Sequence, residues 1–285
     1  SSTIGIVIPP STPMIYYGVL TGVSISSLFI AGIIPGIIIG VAMIAVSTII
    51  SSRRNYETNV EKYSLVDKIK AIAYAWPPLG MIIIIIGGIL GGIFTPTEAA
   101  AVASFYALIV GLFVTRRLKL RDLPDVLKQT AIMTGSVMII IAVSDLLGWV
   151  ITHARIPQEI IMPLMSGFAG SEALFLWIVA LVLIIAGVFL HGTAMLVVIV
   201  PLFLPIVSTL GINALQFAMV VILCWGIGQQ TPPVGSALYL CCQMADVDMY
   251  EITKANLPFL ATLIGVLALI IHVPAVVTWL PGLIG

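Results

Sequence analysis

The sequence predicts an all-α polytopic membrane protein with discontinuous helices. Three observations carry that prediction. Of 285 residues, 60% are hydrophobic and only 8% are charged, where a soluble domain carries about 25% charge. The apolar runs have helical length, which excludes a transmembrane barrel built from strands of about 10 residues with alternating polarity. Two apolar segments are interrupted by paired prolines, Pro9-Pro10 and Pro232-Pro233, which cannot continue a helical hydrogen-bond ladder.

Residues 4–22 carry Pro9, Pro10 and Pro13 and read as a discontinuous segment with its break at Ile8–Ser11. Residues 25–50 form a full span, kinked near Pro35. Residues 51–70 hold Arg53, Arg54, Lys62, Lys68 and Lys70 and read as a solvent loop. Residues 71–94 span again after Trp76-Pro77-Pro78, and the turn Thr95-Pro96-Thr97-Glu98 follows. Thr95 or Thr97 can cap the next helix, and a carboxylate is favoured in its first turn. Glu98 is read here as part of that cap, with a proton-relay carboxylate as the alternative.

Residues 99–114 return across the membrane, and 115–128 are a second basic loop with Arg116, Arg117, Lys119, Arg121 and Lys128. Span 130–151 carries Asp145, which is either a functional acid or one solvated near the interface beside Trp149. Residues 153–171 are a polar connection. Residues 173–210 are expected to form a re-entrant hairpin with His191-Gly192-Thr193 at its tip. Two full spans are the alternative, but no basic loop separates the arms. Residues 214–243 are the second broken segment, 246–254 a short polar turn, and 256–279 the last span.

Ten of the twelve Lys and Arg lie in loops 51–70 and 115–128. The positive-inside rule makes both loops cytoplasmic, so segment 4–22 runs outward and segment 214–243 runs inward. Residues 5–36 align on 228–259 without a gap: Gly5 falls on Gly228, Pro9-Pro10 on Pro232-Pro233, Tyr16 on Tyr239 and Pro35 on Pro258. Opposite orientation of two such copies is an inverted-topology repeat, the pattern of secondary transporters whose substrate and ion sites sit on broken helices near the midplane. The chain divides accordingly into 1–50, the end of a first repeat; 51–128, cytoplasmic loops with a scaffold helix pair; and 129–285, a second repeat. Only four residues precede Gly5, whereas residues 129–227 precede Gly228 back to the basic loop. A missing N-terminal part of a longer subunit is therefore expected.

Other classes find little support. Net charge is zero, so attraction to nucleic acid is not suggested. His153, His191 and His272 have no metal-ligand spacing, and Cys224, Cys241 and Cys242 form no CxxC. An intramembrane enzyme needs a nucleophile–base or paired-carboxylate constellation, while Glu98 and Asp145 are isolated in sequence. A channel needs a continuous polar stripe or a charged ring, and neither is evident.

The stretches GIVIPPSTPMIYYG at 5–18, GGIFTPTEAAAVA at 91–103, the hairpin from Gly192 to Pro205 and GQQTPPVGSALYL at 228–240 resemble the large membrane subunit of tripartite ATP-independent periplasmic (TRAP) transporters. That resemblance implies an elevator-type, sodium-driven importer of organic acids such as dicarboxylates, sialic acids and other sugar acids. It implies as partners a small Q-type membrane subunit and a periplasmic substrate-binding protein, and as location the bacterial inner membrane. A related sodium- or proton-coupled carboxylate carrier without a binding protein is the neighbouring alternative.

The resemblance implies two sodium sites, no other cofactor, and no enzyme activity. One site falls on the backbone around Gly5, Ile8 and Pro10. The other falls on Gly187 or Gly192 with Gly228, Thr231 and Val234. Oxygen ligands suit a hard cation, and unwound carbonyls with a Thr hydroxyl supply them. Thr231 as a plain helix cap is the alternative. The broken segments and hairpin contain no Lys or Arg. A substrate carboxylate would therefore be held by helix N-termini at Thr193 and after Pro233, by Thr193, Gln229, Gln230 or Ser236, or by the missing part. His191 either bonds substrate or caps the tip.

Overall fold

The computed structural model describes residues 2–54, 64, 66–67, 72, 75–154, 171–190, 192–232 and 235–284. These residues form helices and turns throughout. Six helical segments are long and apolar enough to cross a membrane among the described residues, and the protein is an all-helical multi-span membrane protein. The fold resolves into two compact units, residues 51–138 and the remainder.

The larger unit begins with α1 (Ser2–Val7) and α2 (Thr12–Thr21), separated by a break at Ile8–Ser11, as the prolines require. Ser11 joins the two arms: its hydroxyl donates to the Ile6 carbonyl and accepts from the Met14 amide. α2 ends on Gly22, whose φ of +73° is the left-handed conformation that glycine adopts without strain. Helix α3 (Ile25–Arg54) follows and holds Pro35 inside it.

The smaller unit contains an apolar helix α4 (Trp76–Leu90) and its return α5 (Pro96–Val114). Pro77 and Pro78 open α4, where a missing N–H costs nothing. α4 and α5 each carry a π-turn, Ile83–Gly87 and Val110–Val114, which the apolar pattern does not announce. The Tyr106 hydroxyl of α5 donates to Pro77 O at 3.0 Å. The expected cap at the α5 start is present in reciprocal form. Thr95 Oγ1 accepts from the Glu98 amide, and Glu98 Oε2 accepts from the Thr95 amide at 2.8 Å and hydroxyl at 2.9 Å. Glu98→Gln keeps an oxygen acceptor there. It is expected to leave uptake within about twofold of wild type, since a cap is worth only about 1 kcal/mol; a transport assay at several pH values checks this, and loss of proton-dependent uptake would mark Glu98 as a relay.

Helix α6 (Leu123–His153) starts inside the stretch expected to be a basic loop. The correction has a local cause: a 3₁₀ turn, Leu120–Asp122, is closed by the Lys119 amide on Asp122 Oδ2 at 3.0 Å, and Pro124 sits in the first helical turn. Asp145 lies on α6, but its side chain falls outside the described residues, as do residues 155–170 of the polar connection and 55–63 of the first basic loop.

In the larger unit, α7 (Glu172–Phe189) and α8 (Gly192–Leu210) form a helical hairpin. α9 (Ala214–Gly228) is buried at every position from Gln216 onward. It is packed by α1, α2, α7, α8, α11 (Met249–His272) and α12 (Ala275–Ile284), and a helix apolar on all sides needs such an enclosure. After the second break comes α10 (Ser236–Ala245). The expected polar turn at 246–254 is shorter than predicted, because Asp248 accepts from the Tyr250 amide and starts α11 at Met249. The expected span 256–279 is also corrected. α11 stops at His272, since Pro274 pushes Val273 out of the helical region to φ −128°, ψ 79°.

That second correction explains a buried polar residue that sequence reading missed. Pro274 offers no N–H to the Ile270 carbonyl. Gln216 Nε2, 3% exposed, donates instead to Ile270 O and Ile271 O, both at 3.0 Å. Gln216→Leu should destabilise the fold by about 1–2 kcal/mol by stranding these acceptors, measurable as lower thermal stability in detergent; an unchanged melting temperature would remove this role.

The two broken segments keep one register in space. With the offset that puts Gly5 on Gly228, the starts of α2 and α10 and the starts of α3 and α11 agree to one residue. Thr3 Oγ1 donates to Gly226 O at 3.4 Å, across a separation of 223 residues. That separation equals the repeat offset.

Candidate functional site

The site is built where the hairpin meets the second break. α7 approaches α9 through two glycines without intervening side chains. A Cβ placed on Gly228 would lie 2.8 Å from both the Cα and the carbonyl carbon of Gly187. Gly192, the first residue of α8, lies against Trp225 so closely that a Cβ there would overlap the indole ring. Gly187, Gly192 and Gly228, all buried, are thereby drawn together from three helices. Only glycine allows this approach, because any Cβ would separate the backbones.

The break itself is compact. Gln229 N donates to Trp225 O, Gln230 N to Ile227 O and Thr231 N to Gly228 O, at 3.0–3.1 Å. The Thr231 hydroxyl, half-buried, donates to Ile227 O at 2.7 Å. A hydroxyl that donates in this way still has lone pairs to offer a cation. The carbonyls of Gln229 and Thr231 converge on Gly235, within 2.8 Å of where its Cβ would stand. Gln229 O accepts from Ala237 N at 3.1 Å, and Thr231 O accepts from Gly235 N at 3.2 Å.

That last pattern narrows one expectation. The amides at the start of α10 were expected to face an anion; those of Gly235, Ala237 and Leu238 are instead taken by the break's own carbonyls. The two breaks thus cap themselves differently: Ser11 does the work by side chain in the first, and carbonyls do it in the second.

Gln230 is 7% exposed, and its side-chain amide donates to the Thr3 hydroxyl, linking the second break to α1. Its backbone carbonyl accepts from Asn256 Nδ2 of α11 at 3.3 Å. The proximity of Thr3 and the role of Asn256 were not legible as site features, since neither falls in a motif. Gln229 and Thr193 are half-buried, Thr193 on the first turn of α8. His191, Pro233 and Val234 lie outside the described residues, and the Ser236 side chain does too.

The first break is arranged differently. Gly5, Ile8 and Pro10 are all exposed, and a Cβ on Gly5 would meet nothing within 4 Å. Of the second set of predicted residues, Gly187, Gly192 and Gly228 are buried and Thr231 is half-buried, whereas Gly5, Ile8 and Pro10 of the first set are exposed. Among the described residues no group of three or more His, Cys, Asp or Glu could hold a metal ion. A cation at either break would depend on carbonyl and hydroxyl oxygens, which suit a hard ion such as sodium.

The description "Tripartite ATP-independent periplasmic transporter, DctM component" fits residues 1–276. The chain is 36% identical over 283 residues to the sialic acid TRAP transporter large permease protein SiaM of Vibrio cholerae, covering 99% of this chain and 66% of that protein. It is 35% identical over 285 residues to the C4-dicarboxylate TRAP transporter large permease protein DctM of Pseudomonas aeruginosa, covering 100% and 66%. It is 34% identical over 282 residues to the isethionate TRAP transporter permease protein DctMQ of Oleidesulfovibrio alaskensis, covering 99% and 44%. The chain thus spans about two thirds of the length of the first two relatives and under half of the third.

Proposed function

Because the chain belongs to the DctM component family of tripartite ATP-independent periplasmic transporters, a family of permeases rather than enzymes, we propose that it is the sodium-coupled, substrate-moving part of an organic-acid importer. The observation that carries this reading is the closure of α7 on α9 through Gly187 and Gly228 beside the Thr231 hydroxyl. The carbonyl oxygens of Gly228, Gln230 and Thr231 in the break each accept a hydrogen bond already, and each keeps a second lone pair that a cation can share. A sodium ion bound between the hairpin and the break would pull α7–α8 onto α9–α10 and complete the substrate surface.

In this reading the copies around residues 5–36 and 228–259 are inverted repeats, and α7–α8 is a re-entrant hairpin. The unit carrying both breaks moves as an elevator against a scaffold in the inner membrane. The acid arrives from a periplasmic binding protein, and a small Q-type subunit accompanies the permease; the relative named DctMQ supports that pairing. The names of the relatives point to substrates in the range of sialic acid, isethionate and C4-dicarboxylates. Without Lys or Arg in the broken segments or hairpin, the carboxylate is held by Thr193, Gln229, His191 or Ser236, with Gln230 fixed to Thr3 as a strut.

Uptake by the complete system in proteoliposomes tests this, with the binding protein outside and either a sodium or a proton gradient imposed. Uptake driven by sodium alone is expected. Uptake driven equally well by protons without sodium would overturn the coupling and return Glu98 and Asp145 to consideration.

A further inference from the structure

At one helix–helix contact the two copies are packed differently. In the first copy, Met14 of α2 is fully buried, and its methyl group packs against Gly32 of α3. The counterparts at the same offset are Ala237 of α10 and Ala255 of α11. They do not fill the crevice between their helices. They line a cavity of about 280 Å³ instead. Two further positions change in kind: Val7 is replaced by Gln230 and Ile33 by Asn256, both on the cavity wall. Leu238, Cys241, Ile252 and Phe259 line it as well.

The first copy shows what the space accepts, an unbranched apolar chain of methionine girth. The second copy removes that chain, adds two amides, and puts Cys241 and Phe259 where the first copy has Gly18 and Gly36. Asn256 Nδ2 is committed to Gln230 O, and among the described residues Asn256 Oδ1 accepts no hydrogen bond. An amide oxygen so placed is an acceptor awaiting a donor. No side chain lining the cavity is charged, which disfavours an ionic ligand.

We propose that the α10–α11 crevice is a binding site for an uncharged single-chain aliphatic amphiphile. Its chain occupies the gap between Ala237 and Ala255, and its hydroxyl donates to Asn256 Oδ1. The inference rests on the repeat and the cavity, and it stands whichever ion couples transport. Ligands of this class would reach the opening from the bilayer, and occupancy would brace α10 against α11 directly behind the break.

The test is photolabelling of the full-length subunit in lipid nanodiscs with an octanol carrying a diazirine on its chain, followed by peptide mapping. Light-dependent adducts are expected on Cys241, Asn256 or Phe259, and excess plain octanol should compete them away. Ala237→Met restores the plug of the first copy. It is expected to cut labelling by about tenfold, the effect of displacing roughly two methylenes from the bound chain. Ala255→Leu narrows the same gap from the opposite helix and serves if the first variant does not accumulate. Adducts elsewhere only, adducts insensitive to octanol, or undiminished labelling in a folded plug variant would each overturn the proposal. So would an unlabelled cavity in the wild type, which would mean that water or another part of the subunit fills it.

Discussion

Gly228→Ala is expected to abolish uptake while a neutral glycine change elsewhere in the same unit does not. The new Cβ would stand 2.8 Å from two backbone atoms of Gly187, well inside the carbon–carbon optimum of about 3.5–4.0 Å. Backbone cannot rotate away as a flexible side chain can, so α7 and α9 must separate along their closest contact. Overpacking of this kind costs about 1–3 kcal/mol, and here it falls on the contact that forms the proposed ion site. Gly187→Ala is expected to be milder, since its Cβ would meet Gly228 Cα at 3.3 Å and Met195 Sδ at 3.5 Å. Gly265→Ala in α11 should be silent, because nothing lies within 4 Å of its Cβ position. Uptake rates and melting temperatures of the three variants in parallel check the order. Equal behaviour of Gly228→Ala and Gly265→Ala would mean that close approach at Gly187 does not matter for transport.

Thr231→Ala carries the second large effect. It removes the hydroxyl that donates to Ile227 O and that, in the proposed site, shares a lone pair with a cation. Losing one good ligand is worth about 1.4 kcal/mol, or tenfold in affinity. The sodium concentration for half-maximal uptake should therefore rise by about tenfold, with the maximal rate less affected. Thr231→Ser keeps the hydroxyl and should stay near wild type. If Thr231 were only a cap, its alanine variant would melt at a lower temperature with an unaltered sodium requirement.

The breaks were legible in the sequence because paired prolines leave no choice. Pro9-Pro10 placed the first interruption at Ile8–Ser11, and Pro232-Pro233 placed the second. The reciprocal cap of Thr95 and Glu98 was legible for the same reason, a local pattern with local chemistry. Element ends set by weaker signals were not. The start of α6 depends on a 3₁₀ turn at Leu120–Asp122, and α11 ends early because one proline at position 274 outweighs an apolar run. The nearness of Gly187 to Gly228 entered only through the family resemblance, and the bond of Gln230 to Thr3 could not be read at all, because each joins residues far apart in the chain. Gln216 gave a hint in being a lone amide in an apolar segment, but its partners, Ile270 and Ile271, are visible only in the fold.

The enclosure of α9 has a consequence for how the protein folds. At 15 residues it is about 22 Å long, short of the roughly 30 Å hydrocarbon core, and it is covered by helices from both ends of the chain. A segment of this kind gains little from meeting lipid alone. Its place opens only when α1 and α2, far upstream in the sequence, and α11 and α12, downstream of it, are all present. Closing contacts of that sequence separation are slow, so this helix is seated late in the folding of the larger unit.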